Sequence, residues 1–166
     1  MKADVTNVVV AGLGGQGVVT ASDVLARAAW HAGYDVKKAD VHGMSQRGGA
    51  VMSDVRFGGR VWSPTVPPGA ADYVLLLDAS QRPLAVARLR PGGVCVDVAE
   101  VDAARLPAPK GLNMVALGRL SRRLPIPSEA WRAAVAETFG EESRAVAMEC
   151  FELGLKLEEP GGGHDR

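Results

Sequence analysis

The sequence contains few cysteines, and those it has are isolated. Cys95 and Cys150 are the two cysteines in 166 residues, and neither belongs to a CxxC pair or lies near a histidine. Because zinc sites and iron–sulfur clusters need several thiolate or imidazole ligands, we expect this chain to hold no metal by itself. Isolated thiols are typical of reduced, buried side chains in a cytosolic protein, so a cytoplasmic location is expected.

The sequence also has no surplus of charge and no long apolar run at its start. There are 19 basic and 19 acidic residues, which gives a net charge of zero. Proteins that bind nucleic acids or anionic membranes usually carry an excess of basic residues, so neither is an expected partner. The first ten residues carry Lys2 and Asp4 around a short apolar stretch, which fits neither a signal peptide nor a membrane span. The length predicts one compact domain.

A strand, a glycine-rich turn and a helix open the chain. The β-branched stretch 7–11 runs directly into the glycine-rich segment 12–17, which is typical of a buried strand that turns sharply. Apolar residues then recur every three or four positions over 18–31, the pattern of an amphipathic helix. A second strand is predicted over 34–41. The segment is therefore interpreted as a βαβ unit with a glycine-rich first turn.

The remaining pattern predicts an α/β, three-layer Rossmann-like domain with a mixed, mostly parallel sheet. Residues 50–57 alternate as a half-buried strand does, and Gly58-Gly59 is interpreted as a β-hairpin turn with a return strand at 60–62. We expect a single domain over 1–157, C-terminal helices and a disordered tail at 158–166. The other predicted elements are strands at 73–77 and 94–98 and helices at 83–89, 112–120, 128–139 and 141–157.

The glycine-rich turn is the first candidate binding site. Gly12, Gly14 and Gly17 have GxGxxG spacing between a strand and a helix, where backbone N–H groups can approach a phosphate. A nicotinamide dinucleotide would also need an acidic residue for its ribose, a role open to Asp40. Against that interpretation, the second strand is followed by a glycine loop and another strand instead of a helix. The glycines could also serve only to make a tight turn from strand to helix.

The loop after the second strand is the second candidate site. It contains an imidazole, a hydroxyl, an amide and a guanidinium group, on His42, Ser45, Gln46 and Arg47. These donors suit a carboxylate or a phosphate. Because parallel strands one and two end at the same edge of the sheet, we expect this loop to lie beside the glycine-rich turn. A purely structural role is also open, in which Arg47 pairs with Asp54 and His42 caps the strand end.

Together these two segments closely resemble the gamma-type domain of the 2-oxoacid:ferredoxin oxidoreductases, in particular its indolepyruvate-specific members. The resemblance covers about residues 7 to 157. It continues through Ser63-Pro64, the stretch 89–93 and the stretch 112–118. The two segments that carry it are Gly12-Leu13-Gly14-Gly15-Gln16-Gly17-Val18 and Val41-His42-Gly43-Met44-Ser45-Gln46-Arg47-Gly48-Gly49.

The resemblance implies a subunit of an enzyme that oxidatively decarboxylates an aryl 2-oxo acid to an acyl-coenzyme A. This sequence has no GDG-type motif for thiamine diphosphate and magnesium and no cysteine set for a cluster. Thiamine diphosphate, Mg and [4Fe-4S] clusters are therefore expected on a large alpha subunit that reduces ferredoxin. This chain would hold no cofactor alone, would use coenzyme A as a co-substrate and would show no activity alone.

The resemblance also implies which residues form the coenzyme A and substrate side of the site. No side chain is assigned as a general acid or base, and His42 is the candidate because imidazole titrates near neutral pH. Trp30, Trp62 and Trp131 are interpreted as packing or interface anchors. Cofactor contacts are expected from Gly12, Gly14, Gly15, Gln16 and Gly17, and anion contacts from His42, Ser45, Gln46 and Arg47, the last as an anion clamp.

Two competing functions are consistent with the same residues. A free-standing NAD(P)-binding reductase would use the glycine-rich turn for the dinucleotide and Asp40 for its ribose. A binding or assembly module would keep the fold without belonging to a catalytic complex. Titration with a nicotinamide cofactor distinguishes the reductase from the subunit, and copurification without a large thiamine-binding partner would favour the module.

Overall fold

A five-stranded sheet forms the centre of the molecule. The computed structural model describes residues 4–43, 49–98 and 101–157. The predicted anion contacts Ser45, Gln46 and Arg47 and the predicted tail at 158–166 lie outside these ranges. The order in the sheet is β2-β3-β1-β4-β5. The strands are β1 Thr6–Leu13, β2 Asp35–His42, β3 Ala50–Gly58, β4 Ala71–Leu76 and β5 Leu89–Asp97.

Four of these strands run in one direction and β3 runs in the other. β1 pairs with β4 and β4 with β5 in parallel, whereas β3 is antiparallel to both β1 and β2. A short loop joins β2 to β3, and a short loop permits an antiparallel hairpin but not a parallel crossover. The predicted mixed, mostly parallel sheet is confirmed, and its hairpin is the β2–β3 pair.

The predicted return strand at residues 60–62 is wrong. Such a strand would have to pair with β3, but β1 and β2 already occupy both edges of β3. The backbone N–H of Val61 instead donates to the Asp35 carboxylate at 2.7 Å. The chain from residue 59 to 70 therefore forms a loop.

Within the described ranges, five α-helices accompany the sheet. Gly33, with φ of 81°, follows the end of α1, as the sequence pattern predicts. The helix predicted over 83–89 is shorter than expected, because the chain turns into β5 at Leu89. Short 3-10 turns occupy Ala79–Gln81 and Ala103–Arg105. The helices are α1 Val18–His31, α2 Arg82–Val86, α3 Leu112–Ser121, α4 Ser128–Thr138 and α5 Glu141–Lys156.

Apolar clusters cover both faces of the sheet and produce three layers. Alternate residues of a strand point to opposite faces, so β1 contributes Val8 and Val10 to one cluster and Val9 and Ala11 to the other. The larger cluster packs α1, α3, α4 and α5 against the sheet. The smaller cluster includes Ala85 of α2. This arrangement leaves the carboxyl ends of β1, β2 and β4 together at one edge.

Candidate functional site

The two predicted loops meet at one edge of the sheet. The glycine-rich turn follows β1, and His42 is the last residue of β2. The Gly14 N–H donates to the Gly49 carbonyl at 2.9 Å, which joins the turn to the far end of the second loop. The described ends of the second loop, His42 and Gly49, therefore lie at the same end of the sheet as the glycine-rich turn, as expected.

Glycine is required in the turn by its backbone conformation and by its close packing. Gly15 and Gly17 have φ of 88° and 78°, values that other residues rarely adopt. A Cβ on Gly12 would lie 2.9 Å from both Gln16 Oε1 and Val18 Cγ2. At Gly12 the turn therefore brings its backbone closer to its surroundings than a side chain would permit.

The N-terminus of α1 presents free backbone donors at this edge. Gly17 is the N-cap and makes no side-chain cap, and the first turn contains no acidic residue. The first intrahelical bond shown here runs from the Ala21 N–H to the Gly17 carbonyl. The backbone N–H groups of residues 18–20, in the first turn of α1, therefore have no partner within the helix. Together with the helix dipole they favour a negatively charged group.

A groove of about 350 Å³ lies between this helix start and β2. His42, which is exposed, and the apolar Val51 line its other side. An anionic group could bind the helix amides there while an apolar portion contacts Val51, and His42 could donate or accept a hydrogen bond. The remaining lining residues come from the end of β1, the glycine-rich turn and residues 18–20.

A second cavity of about 530 Å³ lies on the other side of the turn. It is mainly apolar and is bounded by residues 15–17, the segment 108–114 and one face of α5. Asn113, at the start of α3, donates from Nδ2 to the Gly17 carbonyl at 3.2 Å and accepts from the Met114 N–H at 2.9 Å. The glycine-rich turn therefore separates two cavities, and α3 supports it from behind.

Apart from residues 15–17, the residues that line the second cavity were not predicted as part of a site. The one signal in the sequence was the stretch 112–118, which belongs to the family resemblance. That stretch has an ordinary helical pattern, and nothing in it points to contact with a turn so distant in the chain. Only the packing of α3 on the N-terminus of α1 brings Asn113 to Gly17.

Gln16 is engaged inside the turn. Its Oε1 accepts from the Leu13 N–H at 2.7 Å, and its Nε2 donates to Asp78 Oδ2 at 2.8 Å. Asp78 also accepts from the hydroxyl and the backbone N–H of Ser80, at 2.6 and 3.0 Å. The hydrogen bonds from Ser80, and then that from Gln16, lower the pKa of Asp78 below its ordinary value.

Asp40 does not lie next to the glycine-rich turn. It is on β2, and β3 separates that strand from β1. Its carboxylate accepts from Ser53 Oγ at 2.5 Å and from Lys38 Nζ at 2.6 Å. Burial raises the pKa of Asp40, but the bonds from Lys38 and Ser53 outweigh burial and lower it overall. In a dinucleotide domain the strand carrying the ribose ligand adjoins the first strand, so this topology differs.

Asp54 is paired with Arg88, and Arg47, the partner considered for it in the sequence, lies outside the described residues. Its Oδ2 accepts from Arg88 Nη2 at 2.8 Å and from the Val66 N–H at 2.9 Å. The Asp54 side chain is buried on the face of the sheet that carries the smaller apolar cluster. It therefore anchors the loop over 59–70 at that face.

The cysteines and tryptophans divide between the interior and the surface. Cys150 is buried and Cys95 is half-buried, and burial raises the pKa of both thiols. Trp131 packs on Phe151 in the core, whereas Trp30 and Trp62 are 65% and 79% exposed. Trp131 therefore fits a packing role.

The described ranges contain neither a cluster of metal-ligating side chains nor a helix able to span a membrane. Over residues 4–43, 49–98 and 101–157, no three His, Cys, Asp or Glu side chains are grouped so as to hold a metal ion. The helices of this same part of the chain are all too short or too polar to cross a membrane.

Comparison with known proteins identifies close similarity in the first two thirds of the chain. A family model described as pyruvate ferredoxin/flavodoxin oxidoreductase matches residues 7–110. A protein named indolepyruvate oxidoreductase subunit IorB from Thermococcus kodakarensis is 44% identical over 88 residues, which are 53% of this chain and 44% of that protein. The IorB of Archaeoglobus fulgidus is 48% identical over 75 residues, 45% of this chain and 37% of that protein. The chain thus spans less than half the length of these curated relatives.

Solved structures share the fold over nearly the whole chain. The 2-oxoglutarate:ferredoxin oxidoreductase of Magnetococcus marinus, solved with 2-oxoglutarate, coenzyme A and succinyl-CoA bound, matches with a TM-score of 0.80 and 22% identity. That match covers 92% of this chain and 31% of the other. The gamma subunit of a keto/oxoacid ferredoxin oxidoreductase from Geobacter sulfurreducens matches with a TM-score of 0.75 and 22% identity, over 92% and 95% of the two chains.

Proposed function

The chain belongs to the pyruvate ferredoxin/flavodoxin oxidoreductase family, and from this membership we propose that it is a non-autonomous subunit of a thiamine-diphosphate-dependent 2-oxoacid:ferredoxin oxidoreductase. The observation that carries the proposal is that the family match over 7–110 contains both loops that meet at the sheet edge. The unit that acts in this way is the single gamma-type domain over 1–157.

The proposed substrate is an aryl 2-oxo acid such as indolepyruvate. The support is the identity of 44% to 48% with proteins named as indolepyruvate oxidoreductase subunits. The reaction would be oxidative decarboxylation to an acyl-coenzyme A, with ferredoxin as electron acceptor. Thiamine diphosphate, Mg and the [4Fe-4S] clusters would be held by a large alpha subunit, in the cytoplasm.

The contribution of this chain would be to bind and orient the coenzyme A and substrate side of the site. The free N–H groups at the start of α1 would receive a phosphate or a carboxylate, an interaction worth about 0.3–1 kcal/mol from the helix dipole alone. His42 would add a hydrogen bond from across the groove. Ser45, Gln46 and Arg47 would complete the anion contacts, and a charge-assisted bond from Arg47 would contribute about 1.5–3 kcal/mol.

The proposal is tested by assaying the chain alone and together with its thiamine-binding partner. The 166-residue chain alone should not oxidise indolepyruvate, phenylpyruvate or 2-oxoglutarate, and the reconstituted complex should oxidise one of the aryl acids in the presence of coenzyme A. Titration of the isolated chain with NADH and NADPH should show no micromolar binding. Turnover by the chain alone, or tight nicotinamide binding, would contradict the proposal.

A further inference from the structure

The side chain of Gln16 joins the ends of two parallel strands. Leu13, whose N–H donates to Gln16 Oε1 at 2.7 Å, is the last residue of β1. Asp78, which accepts from Gln16 Nε2 at 2.8 Å, lies just after β4, the parallel neighbour of β1. One amide therefore takes the place of a backbone partner where the strand ladder ends.

This bridge has a fixed polarity. Asp78 Oδ1 accepts both the N–H and the hydroxyl of Ser80, which leaves Oδ2 for Gln16. Because Gln16 Oε1 is occupied by the Leu13 N–H, only its NH₂ group can face Asp78. All these hydrogen bonds are satisfied together in a single orientation of the two side chains.

The bridge determines the shape of the glycine-rich turn. The Gln16 N–H also donates to the Leu13 carbonyl at 3.2 Å, which closes the turn on itself. The amide packs so close to Gly12 that a Cβ there would lie 2.9 Å from Oε1. Gly17, the N-cap of α1, follows directly. The position of the free amides of α1 therefore depends on where Gln16 is held.

We propose that Gln16 is a positioning residue and does not itself contact the ligand. By bonding to Asp78 it holds the turn so that the first-turn amides of α1 face the groove beside His42. The inference rests on the proposed function only for the identity of the ligand, coenzyme A. The turn geometry can be tested without that ligand.

Three variants test the bridge through its polarity. Gln16→Glu keeps an acceptor for Leu13 but places two carboxylates face to face. Asp78→Asn leaves either two NH₂ groups facing each other or a donor facing the Ser80 N–H. In the double variant Gln16→Glu/Asp78→Asn the new carboxylate accepts from the new amide, so each donor again has an acceptor. The net charge of the double variant equals that of the natural chain.

Two quantities are measured in each variant, the hydrogen-exchange rate of the Leu13 amide and the KM for coenzyme A. Hydrogen exchange of the Leu13 amide in the 166-residue chain should be about tenfold faster in each single variant, because each loses about one hydrogen bond, the one between residues 16 and 78. In the complex with the thiamine-binding partner, the KM for coenzyme A should rise about tenfold in each single variant, since displaced donors bind the ligand less well. The double variant should return both quantities to within about twofold of the natural chain.

Asp72→Asn is the matched control. Asp72 lies near the start of β4, whereas Asp78 follows the end of that strand. The Asp72 carboxylate accepts hydrogen bonds from the Asn7 N–H and from Arg90. Its substitution can lower stability but should leave exchange at Leu13 and the KM for coenzyme A unchanged.

The outcomes separate the bridge from the proposed function. Fast exchange in the double variant would overturn the bridge. Faster exchange with an unchanged KM would overturn the positioning role. If the natural complex makes no acyl-coenzyme A, the proposed function fails, and the exchange data still decide whether Gln16 and Asp78 hold the turn.

Discussion

Replacing Gly154 by alanine should destabilise the protein because α3 and α5 cross at this position with their backbones in contact. A Cβ on Gly154 would overlap the Val115 carbonyl oxygen. It would also lie 2.9 Å from the Val115 carbonyl carbon and 3.0 Å from the Arg119 backbone nitrogen. Ordinary contact distances would require the helices to separate by more than about 1 Å, and a gap of about 0.5–1 Å already forfeits a quarter to a half of each dispersion contact across it. Phe151 and Leu117 lie in this buried cluster.

The expected loss is about 3 kcal/mol, the upper part of the range for an overpacked core. In a protein of this size that corresponds to a fall in Tm of about 6–12 °C. Calorimetry or urea unfolding of the full chain measures it. Gly140→Ala is the control, because nothing lies within 4 Å of a Cβ at Gly140, the N-cap of α5. Alanine is a poorer N-cap than glycine, so a loss of up to about 1 kcal/mol is expected there. Equal stabilities for the two variants would refute the close crossing.

Three further results are expected. Asp54→Asn removes the buried carboxylate that pairs with Arg88 at 2.8 Å and should cost about 2 kcal/mol in urea unfolding. Asp23→Asn, at a more exposed pair with Lys38, should cost below about 0.5 kcal/mol, and equal effects of the two substitutions would contradict this account. Cys150 is buried and burial raises its pKa, so it should react with iodoacetamide at pH 8 more slowly than a small thiol in solution. An equal rate would show that the protein opens around Cys150. The pKa of Asp78 is lower in the folded state, so its contribution to stability is present above its unfolded pKa and is lost as pH falls through the folded value. Gln16→Met removes one cause of that shift and should reduce the fall in Tm between about pH 5 and pH 3, and an unchanged pH dependence would argue against the bond.

Local patterns in the sequence predicted the elements well. The strand into the glycine-rich turn and the helix over 18–31 appear with nearly the same bounds, because periodicity and glycine conformations are properties of a few neighbouring residues. The position of β3 between β1 and β2 could not be predicted in this way. Strand alternation shows which residues face the core but not which strand lies alongside, and the incorrect return strand at 60–62 resulted from that limit.

The candidate site shows the same division between local and distant information. The two loops were predicted to meet because parallel strands end at one edge. The support from Asn113 and the bridge from Gln16 to Asp78 were not predicted, since each joins residues far apart in the chain. For Gln16, an amide in a glycine-rich segment suggests a ligand contact, and only the distances to Leu13 and Asp78 show that both ends of the amide are already bonded.

The most direct measurement for the central claim is the formation of acyl-coenzyme A by the thiamine-binding partner with and without this chain. The reconstituted complex should convert an aryl 2-oxo acid and coenzyme A to the acyl-coenzyme A, with two electrons passed to ferredoxin for each product molecule. His42→Ala should raise the KM for coenzyme A in that assay. If the partner forms the product at the same rate without this chain, the chain does not contribute the coenzyme A side of the site.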